Sequence, residues 1–177
     1  MKELKEHKGI KLTKVSTKIS IDKPAEDTWE ALSHYGDVHT FHAGVEKSVA
    51  ENSNSPIATL GAERTCDILD GKKEVVLKER IIEYEEGKYY RYEVFDWKNF
   101  PLKAMFFAFE VTPLNSQKST LELTINYRLN PGFITNLMKW KIKKMEKEIL
   151  MGYKNYIETG IKNVPIKTLE KRHYQFA

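Results

Sequence analysis

The chain has 177 residues, 41% of them hydrophobic and 31% charged, which is the balance of one globular domain and not of a disordered or fibrous chain. Its 29 Lys and Arg against 25 Asp and Glu leave a formal charge of +4, too mild by itself to argue for nucleic acid. A single cysteine, Cys66, excludes an intramolecular disulfide and a cysteine zinc cluster, and no apolar run reaches the ~20 residues of a membrane span.

Residues 1–13 carry Lys2, Lys5, His7, Lys8 and Lys11 among Glu3 and Glu6 and read as a charged, solvated leader. They lack the apolar core of a signal peptide, so a soluble cytoplasmic protein is expected. Val15, Thr17, Ile19 and Ile21 then alternate with Lys14, Ser16, Lys18 and Ser20, the period of a strand with one buried face. Asp22-Lys23-Pro24 ends it. Proline suits a first helical turn, Glu26 and Asp27 favour the positive end, and Trp29, Ala31 and Leu32 carry the helix to about His34. A second short helical segment is expected over 37–42 and a strand over 45–50. Asn52, Ser53, Asn54 and Ser55 form a polar loop.

From Ile57 the pattern becomes a meander. Asp70-Gly71 marks a two-residue hairpin, and Glu86-Gly87 marks the next turn. A break at 98–101 precedes a strand over 102–111. Leu121, Leu123, Ile125, Tyr127 and Leu129 alternate with Glu122, Thr124, Asn126 and Arg128 in the clearest half-buried strand of the chain. Asn130-Pro131 is expected to cap a long helix, with Asn as N-cap and Pro first. Its apolar positions, including Ile142, Met145, Ile149 and Tyr153, fall at spacings of three and four, and Gly160 ends it. Residues 161–177 read as a basic tail with no evident core role, which leaves the domain at 14–160. Strand, two short helices, six strands and a long helix make an α+β, antiparallel domain with the helix against the concave face.

Hairpin register shows what that face carries. With Asp70 and Gly71 as turn residues, Cys66 faces Val75, Arg64 faces Leu77 and Ala62 faces Glu79, and cross-strand partners share a face. One face then holds Ala62, Arg64, Cys66, Ile68, Val75, Leu77, Glu79 and Ile81, while the other holds Glu63, Asp67, Lys78 and Arg80. Across Glu86-Gly87, Ile81 faces Tyr92 and Glu79 faces Val94, which adds Tyr90 and Tyr92 to the inner face. Arg64 and Glu79 thus stand one diagonal step apart on an otherwise apolar surface. Two readings remain open: an ion pair that only serves the fold (or a register slip leaving both in solvent), or a cavity whose few polar groups orient a ligand.

The order of elements and several segments resemble the superfamily that joins START lipid-transfer domains, Bet v 1-like plant allergens and bacterial polyketide cyclase/dehydrase-like proteins. The likeness runs from about Val15 to Gly160. It is carried by residues 21–29 (IDKPAEDTW), 38–45 (VHTFHAGV), Gly61-Ala62-Glu63-Arg64, Lys78-Glu79-Arg80-Ile81 and the closing helix after Asn130-Pro131-Gly132. The resemblance implies the helix-grip fold, a curved seven-stranded antiparallel sheet wrapped around the C-terminal helix, with two short helices after the first strand. It also implies a cavity between sheet and helix that takes a lipid, polyketide or aromatic molecule. By position, Glu79 matches a cavity-facing glutamate of the plant hormone receptor branch, and Lys47 stands where that branch has a lysine meeting the ligand carboxylate. The tight hairpin near Asp70 lacks that branch's proline-containing gate loop, so hormone reception of that kind is not expected.

The expected apolar wall is Tyr92, Met105, Phe107, Phe109 and Tyr127 from the strands with Met145 and Ile149 from the helix. Arg64, Glu79 and Lys47 would orient the ligand's polar end. No cofactor or metal is expected, since His34, His39 and His42 lack further ligands. No triad emerges. Cys66 reads as a buried thiol, and Glu79 is the candidate acid/base if the pocket is catalytic. A carrier or binding protein is the leading expectation, a cyclase/dehydratase-like enzyme in the same pocket the first alternative, and a protein-partner module the second. Lys139, Lys143 and Lys147, spaced by four, read as a solvated face or as a contact for anionic membrane. Trp140 is core or interfacial on this reading, and nucleic acid is not an expected partner.

Overall fold

A computed structural model describes residues 3–42, 44–52, 55–70, 73–172, 174 and 176. Two short strands, β1 (Glu6–His7) and β2 (Ile10–Lys11), form a small ladder of their own. Seven longer strands, β3 (Thr13–Ile21), β4 (Val45–Ala50), β5 (Glu63–Asp70), β6 (Lys73–Glu85), β7 (Tyr89–Lys98), β8 (Leu102–Asn115) and β9 (Lys118–Leu129), make one sheet. Its spatial order is β3-β9-β8-β7-β6-β5-β4, with antiparallel pairing throughout. Sequence neighbours β3 and β4 therefore occupy opposite edges, linked by α1 (Ala25–Ser33) and a 3-10 turn (Tyr35–Thr40). After β9 come α2 (Ile134–Leu137), α3 (Lys139–Thr159) and α4 (Ile166–Leu169). This is the α+β helix-grip arrangement.

Alternation builds the inner face. Val15, Thr17, Ile19 and Ile21 of β3 are buried beside Leu121, Leu123, Ile125 and Tyr127 of β9, and Ile142, Ile149, Leu150 and Tyr153 of α3 close onto them. Two glycines permit the closest approaches. A Cβ at Gly152 would run into the Phe41 carbonyl, which is where α3 meets the 3-10 turn. A Cβ at Gly36 would lie 2.9 Å from Pro56 Cα, where the same turn meets the loop before β5.

Four expectations need correction. First, Asp70 pairs with Lys73, so the connecting residues are 71 and 72, and the turn placed at Asp70-Gly71 falls partly outside the described residues. Ser53 and Asn54 of the expected loop also lie outside them. Every pairing of that hairpin moves by two, so Arg64 stands directly opposite Glu79. A shift of two preserves the face each residue occupies, and so the inner set survives. The second hairpin keeps the expected pairs Glu79–Val94 and Ile81–Tyr92, while bulges between Lys78 and Glu79 and between Ile81 and Glu83 shift the pairs on either side by one.

Second, the N-terminal segment is more than a solvated leader. Asn126 donates its side-chain N–H to the Leu4 carbonyl at 2.8 Å, and the His7 ring meets Phe106 at 4.8 Å. Under this cover Arg91, Phe106, Ala108, Thr124 and Asn126 are buried on the convex face of the sheet. Third, Asn130-Pro131 does not open the helix. The chain is still tied to the sheet there, Asn130 N–H donating to Pro101 O at 2.9 Å and Leu129 N–H to Thr135 Oγ1 at 3.1 Å. The helix α2 begins only at Ile134, and Met138 (φ −90°, ψ 2°) separates α2 from α3. Gly160, at φ 70°, ends α3 as expected. Fourth, the C-terminal tail packs. Leu169 is buried, Arg172 bonds the Asn155 side chain, and Phe176 forms a bridge with Ile19 on the outer edge of β3.

Candidate functional site

Arg64 and Glu79 meet in the middle of the concave face. Arg64 Nε donates to Glu79 Oε2 at 2.5 Å, and both residues are 3% exposed. Arg64 Nη1 donates to the Tyr35 carbonyl at 2.6 Å, which ties the sheet to the 3-10 turn. The guanidinium carbon lies 3.9 Å from the Tyr35 ring centre and 4.9 Å from that of Tyr92. Burial is the largest influence on the Arg64 pKa and would lower it, but Glu79, Cys66, Tyr35 and Tyr92 together outweigh burial and raise it, so the guanidinium stays charged. Cys66 Sγ sits 3.8 Å from the same carboxylate oxygen, and burial raises its pKa, so it is a thiol and not a nucleophile.

Aromatic rings surround the pair. Tyr92 stacks on Phe107 with centroids 5.0 Å apart, Tyr35 meets Tyr90 and Tyr92 at 5.9 and 5.6 Å, and Phe109 meets Tyr153 at 5.2 Å. Phe41 closes the cluster against Tyr153 at 4.7 Å. Rings at these distances are in contact, so side chains fill the region between sheet and helix. Burial raises the phenol pKa of Tyr35, Tyr90 and Tyr92 and pushes that of Tyr153 up to about 12. Tyr90 donates to Leu32 O at 3.3 Å, whereas the buried Tyr35 hydroxyl has no hydrogen-bond partner. A buried hydroxyl costs stability unless a water or a ligand meets it.

Of the residues expected to line a pocket, Arg64, Glu79, Tyr92, Met105, Phe107, Phe109, Tyr127 and Ile149 are buried together, with Met145 half-buried against them. Lys47 is not among them. A bulge between Val45 and Lys47 inserts one residue into β4, so the inward position after Val45 falls on Ser48 and Lys47 is turned out, exposed. Ser48 Oγ donates to Gly36 O at 2.6 Å and meets His39 Nδ1 at 2.8 Å. The three histidines go separate ways. His34 lies 3.7 Å from Asp37, His39 bonds Ser48, and His42 Nδ1 accepts from Gly44 N–H at 3.0 Å. Burial, with Arg64 adding to it, lowers the His42 pKa to about 4, so the ring is neutral at pH 7. Among the described residues no three potential metal ligands come together.

Sequence reasoning missed two buried groups. Tyr35 sits beside Gly36, where the backbone closes on Pro56, in a stretch that reads only as a helix break. Glu146 lies on the buried face of α3, completely inaccessible, where it accepts from Thr17 Oγ1 at 2.6 Å while its other oxygen has no partner. Burial raises its pKa to about 7. A Glu among lysines reads as surface charge; its position four residues after Ile142, on the apolar stripe, was the available signal. Two concavities open outside the sheet–helix space. One, about 390 Å³, lies between α3 and the C-terminal segment, and the other, about 380 Å³, lies on the convex face beside Arg91 and Asn126.

The family described as polyketide cyclase/dehydrase and lipid transport matches residues 13–158, which span the whole sheet and nearly all of α3. The chain belongs to that family. No curated protein matches it by sequence. Among solved structures it is similar to a Thermobifida fusca protein determined by solution NMR, at 22% identity over 90% of this chain and 97% of that one, with a TM-score of 0.66. The Zhui aromatase/cyclase of Streptomyces sp. R1128 superposes with a TM-score of 0.64 at 12% identity, over 84% and 98% of the two chains. A truncated norcoclaurine synthase from Thalictrum flavum gives 0.65 at 12% identity, over 84% and 94%. These likenesses establish the shared fold. Among the described residues no helix is long and apolar enough to cross a membrane.

Proposed function

We propose that this protein is a cytoplasmic binding or carrier protein for a small hydrophobic molecule with an anionic or hydrogen-bonding end, held between the concave face and α3. The observation that carries this reading is the Arg64–Glu79 pair set among aromatic rings, beside the unbonded Tyr35 hydroxyl. Burying an ion pair brings little net stability, and apolar residues of similar volume often serve a core as well or better. Polar groups fixed in an apolar surround are what orients a ligand. Membership of a family whose description includes lipid transport supports the same reading. A ligand enters by displacing rings that now touch one another, which requires α3 to stand off the sheet.

A second reading, a cyclase- or dehydratase-like reaction in the same place, rests on Glu79 being one of two buried acids among the described residues, the other being Glu146 on the helix. Turnover abolished by Glu79→Gln with binding intact would select it.

The test uses anilinonaphthalene sulfonate, an aromatic anion whose fluorescence rises in apolar surroundings. The wild type should bind it saturably. The double variant Arg64→Met/Glu79→Leu, with a similar apolar volume and no charge, should stay folded and bind it at least about tenfold more weakly. Equal binding by a folded double variant would remove the orienting role of the pair.

A further inference from the structure

The helix that closes the fold presents an apolar stripe to solvent at its N-terminal end. Phe133, Leu137 and Trp140 are 76%, 68% and 68% exposed. Their spacing of four and three residues puts them on one side of the α2–α3 segment. The opposite side carries Ile142, Glu146 and Ile149 into the core, so this outward stripe makes no contribution to packing on the sheet. Large exposed apolar side chains grouped in this way mark an interaction surface.

Charge identifies the partner. Residues 131–145 contain four lysines, Lys139, Lys141, Lys143 and Lys144, and no Asp or Glu. The first acid after them, Glu146, is buried. All four lysines are exposed beside the stripe, though Lys144 pairs with Glu148 at 3.4 Å and with Glu170 at 3.2 Å, so the charge that bears on a partner is that of Lys139 and Lys143. Lys147, further along the helix, belongs to another neighbourhood, since it is half-buried with its ammonium 5.0 Å from the Phe176 ring centre. The expected lysine ladder of 139, 143 and 147 is thus replaced by Lys139 and Lys143 flanking Trp140. An aromatic and aliphatic stripe bordered by cations, on a helix lying along the protein surface, matches the boundary of an anionic bilayer. There the apolar side chains sit below the headgroups and the lysines sit among the phosphates.

We propose that Phe133, Leu137 and Trp140, with Lys139 and Lys143 beside them, dock this protein on the surface of an anionic phospholipid membrane. The docking does not depend on what the concave face holds. It would set the α2 end of the fold against the bilayer, where the Tyr127 hydroxyl reaches the Thr135 carbonyl at 3.2 Å and links α2 to the floor of the inner face.

The test is co-sedimentation of the full chain with phosphatidylcholine vesicles, with and without phosphatidylserine, at low and high salt. Binding should require phosphatidylserine and weaken in high salt. The variant Phe133→Ser/Leu137→Ser/Trp140→Ser should bind about tenfold more weakly or worse, and Lys139→Glu/Lys143→Glu should do the same. Both should keep the wild-type unfolding temperature, because they alter exposed positions. Equal binding to vesicles lacking phosphatidylserine, or no binding to either, would overturn the proposal. So would a dimer in solution that the triple serine variant dissociates, since a second copy would then cover the stripe. Loss of binding with the lysine variant but not with the serine variant would point to some other polyanion and also overturn it.

Discussion

Arg64 and Glu79, opposite each other on β5 and β6, take a full ion pair into the core, whereas Glu146 on α3 enters the same core hydrogen-bonded to the Thr17 hydroxyl. On the sheet, buried charge is met by an opposite charge that the strand register holds at 2.5 Å. On the helix it is met by a proton, because burial raises the Glu146 carboxyl from 4.5 to about 7. The Arg64 guanidinium on the sheet therefore stays charged across the neutral range, while Glu146 on the helix titrates through it. The contact between α3 and β3 is the pH-sensitive one, and in the proposed function it is α3 that must yield.

The largest effect should come from breaking the pair. Arg64→Ala leaves Glu79 buried and uncompensated, and should cost about 3–5 kcal/mol in urea unfolding. Arg64→Met/Glu79→Leu should recover most of that. A loss for Arg64→Ala no greater than that of an exposed substitution, about 0.5 kcal/mol, would show that the pair is not buried in solution.

Glu146 gives the next effect. Below pH 4.5 the carboxyl is protonated in both folded and unfolded chains. Between 4.5 and about 7 the unfolded chain ionises while the folded chain keeps its proton, so stability falls as pH rises, and above about 7 the loss is complete. Glu146→Gln cannot ionise. Its stability relative to wild type should improve by roughly 3 kcal/mol between pH 4.5 and 8. Parallel stability curves for the two proteins across that window would mean that Glu146 reaches water.

Lys47 sharpens the comparison from the outside. It was aligned by resemblance with a ligand-binding lysine, yet the β4 bulge points it to solvent. Lys47→Ala should change stability by no more than about 0.5 kcal/mol and leave dye binding unaltered. A fall in binding as large as that of the pair variant would return Lys47 to the site.

These residues also show what a sequence can carry. Strand alternation and two turn signals placed Arg64, Glu79, Tyr92 and Phe107 on one face, even though the first hairpin was set two residues off, because face depends on parity and not on the exact partner. Lys47 came from the resemblance and not from parity, yet what turns it outward is parity. One bulged residue reverses it, and neither Val45 nor Glu46 advertises a bulge. Glu146 is legible from its place four residues after Ile142 on the apolar stripe, although its charge reads as surface. Tyr35 is illegible for another reason, since its segment closes by tertiary contact, at Gly36 against Pro56, which no local period records. The terminal segments, read as solvated from their charge, pack through single residues such as His7, Leu169 and Phe176, too few to form a pattern.

Native mass spectrometry of the protein after exposure to a cell extract of hydrophobic small molecules, repeated on Arg64→Met/Glu79→Leu, tests the central claim most directly. The account predicts a discrete small mass retained by the wild type, released on denaturation and absent from the folded variant. A wild type that retains nothing, or a variant that retains the same mass as well as the wild type does, would contradict it.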